Sequence, residues 1–246
     1  VRPGPDLPLP PDVSGAAWPR SLSVRSPVPL ADLGAFRAGL VQPQNPSSLY
    51  AAKLLGAGPG ELVYDLAAGH GVKTATLAAA GARVVAFEVS EKRARVARRN
   101  LARLGLEAEH VVADLTAGWP GPEVAPGDRV LLDAPCSGTG TLRGNPEIKL
   151  RLEPDDLPRL AARQAAMLRA AARSVATGGT LLYAVCSLTP DEGVAVAAAF
   201  LRSEAGFEPL PAPEAPGTFV PATVGAYLLP VGGLDGFYLA RFRRTG

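Results

Sequence analysis

The chain has 246 residues, 47% of them hydrophobic, and its 25 Lys+Arg against 23 Asp+Glu leave a formal charge of +2. That much apolar residue supports a large core and excludes a disordered chain, while the charge balance announces no polyanionic partner. The cysteines and histidines, Cys136, Cys186, His70 and His110, match no zinc-finger or zinc-ribbon spacing and exclude a disulfide scaffold, so no metal is expected.

Residues 1–30 carry eight prolines and are expected to be extended with little regular structure. No apolar leader opens the chain and no apolar run reaches about 18 residues, so no membrane span and a cytoplasmic location are expected. Short helices fit Ala31–Ala38 and Ser47–Leu55, and residues 1–56 read as an extension packing on a single catalytic domain, 57–246. From there strand and helix alternate. A strand over Glu61–Leu66 runs into a glycine-bearing loop and a helix over Val72–Ala80, stopped by Gly81. The apolar run Arg83–Phe87 is a second strand ending in Glu88, and Ser90 caps a helix over Glu91–Leu104 that Gly105 closes. Ala108–Ala113 ends at Asp114, and Arg129–Leu132 ends at Asp133. A helical period over Leu157–Ala176 turns at Gly178-Gly179 into a strand over Leu181–Val185; a helix fits Glu192–Leu201, and strands fit Ala226–Leu229 and Gly236–Phe242.

This alternation predicts an α/β fold with a mostly parallel, doubly wound, Rossmann-like sheet, whose ligand sits at the carboxyl ends of the strands. The residues expected there are the loop after Asp65, then Glu88, Asp114, Asp133, Cys136 and Cys186. The loop has glycines at 69 and 71 but Thr74 where a dinucleotide GxGxxG needs a third, and it has no P-loop spacing. Glu88 is placed to accept both ribose hydroxyls and Asp114 an adenine amino group, which favours S-adenosylmethionine over a pyrophosphate-bearing cofactor. Singly, each carboxylate also fits a solvated strand end.

A free thiol at each of two strand ends beside a methyl donor fits one chemical problem. C5 of a pyrimidine is a poor nucleophile until a thiolate adds at C6 with an acid at N3; a second group must then take the C5 proton so that the sulfur can leave. Asp133 is placed as the acid, and the two thiols supply attack and release, in an order the residues alone leave open. Lys73 reads either as a group that lowers a thiol pKa or bonds the base, or as a solvated lysine of the first turn.

DAPCSGTG (133–140), RGNPEIKLR (143–151) and YAVCSLTPDEG (183–193), with weaker GLVQ (39–42), Ser47-Ser48 and DGFYLAR (235–241), resemble the RNA cytosine-5 methyltransferases, the bacterial ribosomal RNA m5C enzymes grouped with the NOL1/NOP2/Sun proteins. The resemblance implies a class I methyltransferase fold using S-adenosylmethionine, with Cys186 as nucleophile and Cys136 in product release. It carries the cofactor site onto Ala67, Ala68, Gly69, His70, Gly71, Val72 and Lys73, with Glu88, Asp114 and Asp133, and Arg93 in support. The family's loop reads close to CAAPGGKT; here His70 replaces the proline and Val72 a glycine, and Ala184-Val185 replaces the Ser-Thr before the nucleophile.

Ribosomal RNA is the expected partner of a monomer, with tRNA as the alternative substrate and a catalytically weakened ribosome-assembly factor as the alternative function. Arg143, Lys149 and Arg151, following the Cys136 loop, are the candidate phosphate contacts. The arginines of the helix after Glu88 spread over more than one face and read as solvated. With aromatics at 6%, a flipped cytosine is expected rather than a stacking platform, and without room for an added RNA-binding domain the core surface, or context in an assembling ribosomal subunit, is expected to select the RNA.

Overall fold

A computed structural model describes residues 13–15, 22–24, 29–120, 125–211 and 219–246. Its frame is a nine-stranded sheet. The first five strands are β1 (Leu62–Leu66), β2 (Arg83–Glu88), β3 (Glu109–Val112), β4 (Gly127–Asp133) and β5 (Val175–Val185). They lie parallel in the order β3-β2-β1-β4-β5, so the chain reverses direction across the sheet between β1 and β4. Four strands extend it antiparallel: β6 (Phe207–Pro209), β7 (Phe219–Pro221), β8 (Ala226–Leu228) and β9 (Phe237–Arg244), with β9 paired to β5, β8 and β6. This is the mostly parallel, doubly wound sheet that the alternation predicts and the Rossmann-like class I architecture that the resemblance implies, with an antiparallel flank.

Side chains of a strand alternate between faces, so one run of apolar residues builds two cores. Val63, Leu131, Leu182, Ala184 and Leu239 point to one face and are covered by α1 (Pro46–Leu54) and α2 (Val72–Ala79). Tyr64, Leu66, Leu132, Tyr183 and Val185 point to the other. There they meet α4 (Asp156–Ala172) and α5 (Val194–Ser203). A smaller cluster, Ala75, Leu101 and Leu104, joins α2 to α3 (Glu91–Leu104). No helix among the described residues is long and apolar enough to cross a membrane.

Three expectations need correction. The helix expected over Leu157–Ala176 ends at Ala172, because Val175 already pairs with Gly127 and β5 runs through Gly178-Gly179 to Val185. Short antiparallel strands at Val13–Gly15 and Leu22–Val24 occur where little regular structure was expected; the prolines lie outside both strands. Arg103 of α3 is not a solvated face residue: it donates to Phe36 O, Val41 O and Gln42 Oε1, and its guanidinium stacks 3.8 Å from the Phe36 ring centroid. That contact and Ser47 Oγ, which donates to Asp235 O at 2.8 Å, tie the segment before β1 to the sheet.

Candidate active site

The strand ends converge as expected. β1 runs into a loop that keeps left-handed φ at Ala67 (64°), Gly69 (59°) and Gly71 (76°). Ala67 is the only non-glycine with positive φ among the described residues, a conformation costly enough to mark a site that needs it. The loop is closed by Ala68 N to Phe87 O (2.8 Å) and Gly71 N to Ala68 O (2.9 Å), and Asn100 Nδ2 donates to His70 O, so His70 and Val72 sit in a well-determined turn. Around Gly69 the outer face is open: a Cβ there would meet nothing within 4 Å. A cleft beside it is lined by Ala67, Glu88, Asp114, Leu115, Pro135 and Met167.

Glu88 is buried at the end of β2, and its oxygens are largely engaged. Oε1 accepts from Ser90 N and from Arg93 Nε and Nη2 at 2.9, 2.9 and 2.6 Å, and Oε2 accepts from Gly69 N at 2.9 Å. Capacity for a diol remains on Oε2, and Arg93, which fixes the carboxylate through Oε1, also lines the cleft. Asp114, exposed after β3, has Oδ1 held by Thr116 N and Oγ1, which keeps its carboxyl below the usual range. An adenosine-bearing ligand fits these parts: an open glycine cradle, a buried carboxylate with an oxygen to spare, and an acidic group at the neighbouring strand end.

The reactive half lies on β4 and β5. As adjacent parallel strands they pair Asp133 with Ala184, so Cys136 and Cys186 emerge side by side, with Sγ···Sγ at 3.3 Å. The hydrogen bond from the Cys136 thiol holds Cys186 below the usual cysteine range against burial and the Asp133 charge, with Lys73 offsetting part of the latter. Cys136 is pushed well above it, by the same bond and by burial. Lys73 is not a solvated first-turn lysine: its side chain is 11% exposed, and Nζ donates to Asp133 Oδ2 at 2.5 Å and lies 5.7 Å from the Phe237 ring centroid. Burial, the largest single influence, draws its pKa down, but Asp133, Asp65 and Cys186 together outweigh it and the ammonium ends above its usual value.

The outer rim is less converged. Arg143 is partly committed, donating to Gly233 O at 2.6 Å and lying 4.0 Å from Asp235. Lys149 and Arg151 are exposed on a short helix, Ile148–Arg151, that the sequence reading did not resolve. Its anchor, Ile148, packs over Gly138 in the Cys136 loop: a Cβ on Gly138 would lie 3.0 Å from Ile148 Cδ1.

Two residues, Asp65 at the head of the cofactor turn and Glu192, had no role assigned from the sequence. Asp65 is fully buried; Thr74 Oγ1 donates to its Oδ2 at 2.6 Å, Oδ1 has no partner, and burial pushes its pKa up to about 7. Glu192 is buried between the two cysteine loops. The signal for it was the dipeptide Cys-Ser, which occurs at 136–137 and again at 186–187.

A family model described as 16S rRNA methyltransferase RsmB/F matches residues 52–243. Ribosomal RNA small subunit methyltransferase B of Thermus thermophilus is 48% identical over 210 residues, covering 85% of this chain and 52% of that protein. The chain thus spans about half the length of the curated relatives it matches. Among solved structures, PH0851 aligns with a TM-score of 0.86 at 30% identity, covering 94% of this chain and 54% of that one. NSun6 from Pyrococcus horikoshii, solved with SFG, aligns at 0.78 and 26% identity, over 89% of this chain and 57% of that one. With the family model running from α1 to β9 and through both cysteine loops, the chain belongs to the RsmB/F family of 16S rRNA methyltransferases.

Proposed function

We propose that this chain carries the catalytic part of an S-adenosylmethionine-dependent RNA cytosine-C5 methyltransferase acting on ribosomal RNA, with residues 1–56 as an extension on a 57–246 catalytic domain. The observation that carries the reading is the pair of unlike thiols 3.3 Å apart beside the Lys73–Asp133 pair. S-adenosylmethionine supplies, when bound over the 67–73 loop, a methyl group as a cation equivalent.

The chain's own residues do the rest. Cys186, the acidified thiol, bonds through Sγ to C6 of the cytosine, and the C5=C6 electron pair becomes available at C5. The Lys73–Asp133 pair serves the N3 edge, so the acid is this pair rather than Asp133 alone, and N3 returns its proton at the end. Once Cys186 is a neutral thioether, the two influences of Cys186 that raise Cys136 disappear, its hydrogen bond and its charge. Cys136 then gives its proton to water, which is the proton the net reaction releases. Its thiolate takes the C5 hydrogen as a proton; the C–H pair re-forms C5=C6, and the C6–S bond breaks with its electrons returning to Cys186. The cycle ends as it began, thiol on Cys136 and thiolate character on Cys186.

The test is methyl transfer to 16S ribosomal RNA and to tRNA. Cys186→Ser is expected to abolish transfer, and Cys136→Ala to accumulate a denaturant-stable protein–RNA adduct. Transfer that survives Cys186→Ser would sink the mechanism; S-adenosylmethionine binding without any transfer would favour an assembly factor.

A further inference from the structure

The roles proposed above leave the buried carboxylate of Glu192 without a task. Glu192 has no exposed surface, yet no Lys or Arg pairs with it among the described residues; its carboxylate is instead surrounded by neutral donors. Oε1 accepts from Ser137 N at 2.8 Å and from Gln164 Nε2 at 2.9 Å. Oε2 accepts from Ser137 Oγ at 2.5 Å, Ser187 Oγ at 2.7 Å and Thr189 Oγ1 at 3.1 Å. Burial alone would raise the carboxyl pKa; these donors outweigh it and hold the group below the usual range.

Placement gives this network its meaning. Ser137 follows Cys136 and Ser187 follows Cys186, and the two hydroxyls are themselves 3.2 Å apart. Glu192 therefore grips the residue next to each thiol, one on the loop after β4 and one on the loop after β5. A second bridge is backbone: Gly140 N donates to Cys186 O at 3.0 Å. Thr139 Oγ1 adds a third, accepting from Leu188 N at 3.1 Å. The sheet ladder ends at Asp133–Ala184, so beyond it nothing in the strands fixes how far apart the loops stand. A purely structural need would be met by apolar packing, since a buried carboxylate is expensive to desolvate.

We propose that Glu192 is a positioning residue for methyl transfer, a clamp on Ser137 and Ser187 that holds the Cys136 and Cys186 thiols within hydrogen-bonding reach. The proposal rests on the reading of these cysteines as the attacking and releasing groups. Position matters at both steps: the thiol must reach Cys186 before attack, and Cys136 must reach the C5 proton afterwards.

The test uses the full chain and two readings. One is the rate at which a diazene oxidant closes Cys136–Cys186 into a disulfide, a step in which the two thiols lose two electrons and two protons and the diazene becomes a hydrazine. It needs neither RNA nor cofactor, so it reports on the clamp even if the proposed function is wrong. The other is kcat and KM for transfer. Glu192→Ala is expected to slow disulfide closure about tenfold. It should also lower kcat about a hundredfold, with KM for S-adenosylmethionine little changed. Glu192→Gln keeps the shape and one acceptor oxygen for Ser137 N and Gln164 Nε2, while its amide N–H groups donate to the Ser137 and Ser187 hydroxyls turned to accept, so it should restore most of both readings. If Glu192→Ala does not fold, Ser187→Ala carries the test, with a smaller fall expected in both. Parent-like values in both readings for the folded alanine variant would overturn the proposal. So would a Gln variant as impaired as the Ala one, because charge and not position would then be responsible.

Discussion

Asp65 shows how one buried side chain sets a pH response for the whole protein. Its folded pKa, about 7, lies above the unfolded value of 3.8. Folding therefore takes up a proton between these values: the contribution to stability is full below about 3.8 and is lost as pH rises through about 7. Each pKa unit is worth about 1.4 kcal/mol. Asp65→Asn, which still accepts from Thr74, should flatten this dependence, so its melting temperature should gain on the parent between pH 5 and pH 8. Equal pH slopes for the two proteins would count against a buried neutral carboxyl. At this scale the sequence was informative where residues stand at strand ends. The two thiols and Asp133 were legible because DAPC and AVCS follow apolar runs. Burial of Lys73, Asp65 and Glu192 was not, because each depends on a neighbour brought in from another strand or loop.

The elements themselves were largely readable, since their punctuation is local. Glu91–Leu104 is found with the expected bounds because Ser90 accepts from Arg93 N and Gly105 takes the left-handed closing position. The end of α4 was misjudged for the opposite reason: Arg173–Ala176 continues a helical pattern, and only pairing with β4 turns it into strand. The junction between α2 and α3 is tight where Gly71, at φ 76°, opens α2 with its Cα against Ala97. A Cβ there would fall 2.9 Å from Ala97 Cβ and 3.1 Å from Leu101 Cδ1. Gly71→Ala combines that clash with a disfavoured φ and should cost about 1–3 kcal/mol in urea unfolding. It should also weaken S-adenosylmethionine binding by calorimetry, because the same turn shapes the cradle at Gly69. A variant as stable as the parent would show that the turn relaxes without loss.

For the whole molecule, a formal charge of +2 means that any grip on RNA has to be local. The exposed Lys149 and Arg151 sit on a short helix whose Ile148 packs against Gly138, two residues after Cys136. Lys149→Glu and Arg151→Glu are expected to raise KM for RNA and to reduce the salt dependence of binding by about one phosphate contact each. Cys186 alkylation should be unaffected. An unchanged salt slope in both variants would place the RNA elsewhere. The α/β class and the edge carrying the site could be read from alternation, and so could two flank strands, near Ala226 and Phe237, but not the antiparallel pairing or the shorter strands. Short strands such as Phe207–Pro209 and Phe219–Pro221 carry too few residues to show a period, and their pairing with β9 and β8 is a long-range matter.

That flank has a consequence for the order in which the protein comes into being. β9 pairs with β5 along the strand that ends at Cys186, Phe237 lies beneath Lys73, and Gly236 N donates to Gly140 O at 2.8 Å in the loop after Cys136. In the mechanism proposed above, every side chain assigned to the chemistry therefore precedes, in order of synthesis, the strand that seats it, and the two thiols stay unassembled until residues 235–244 dock.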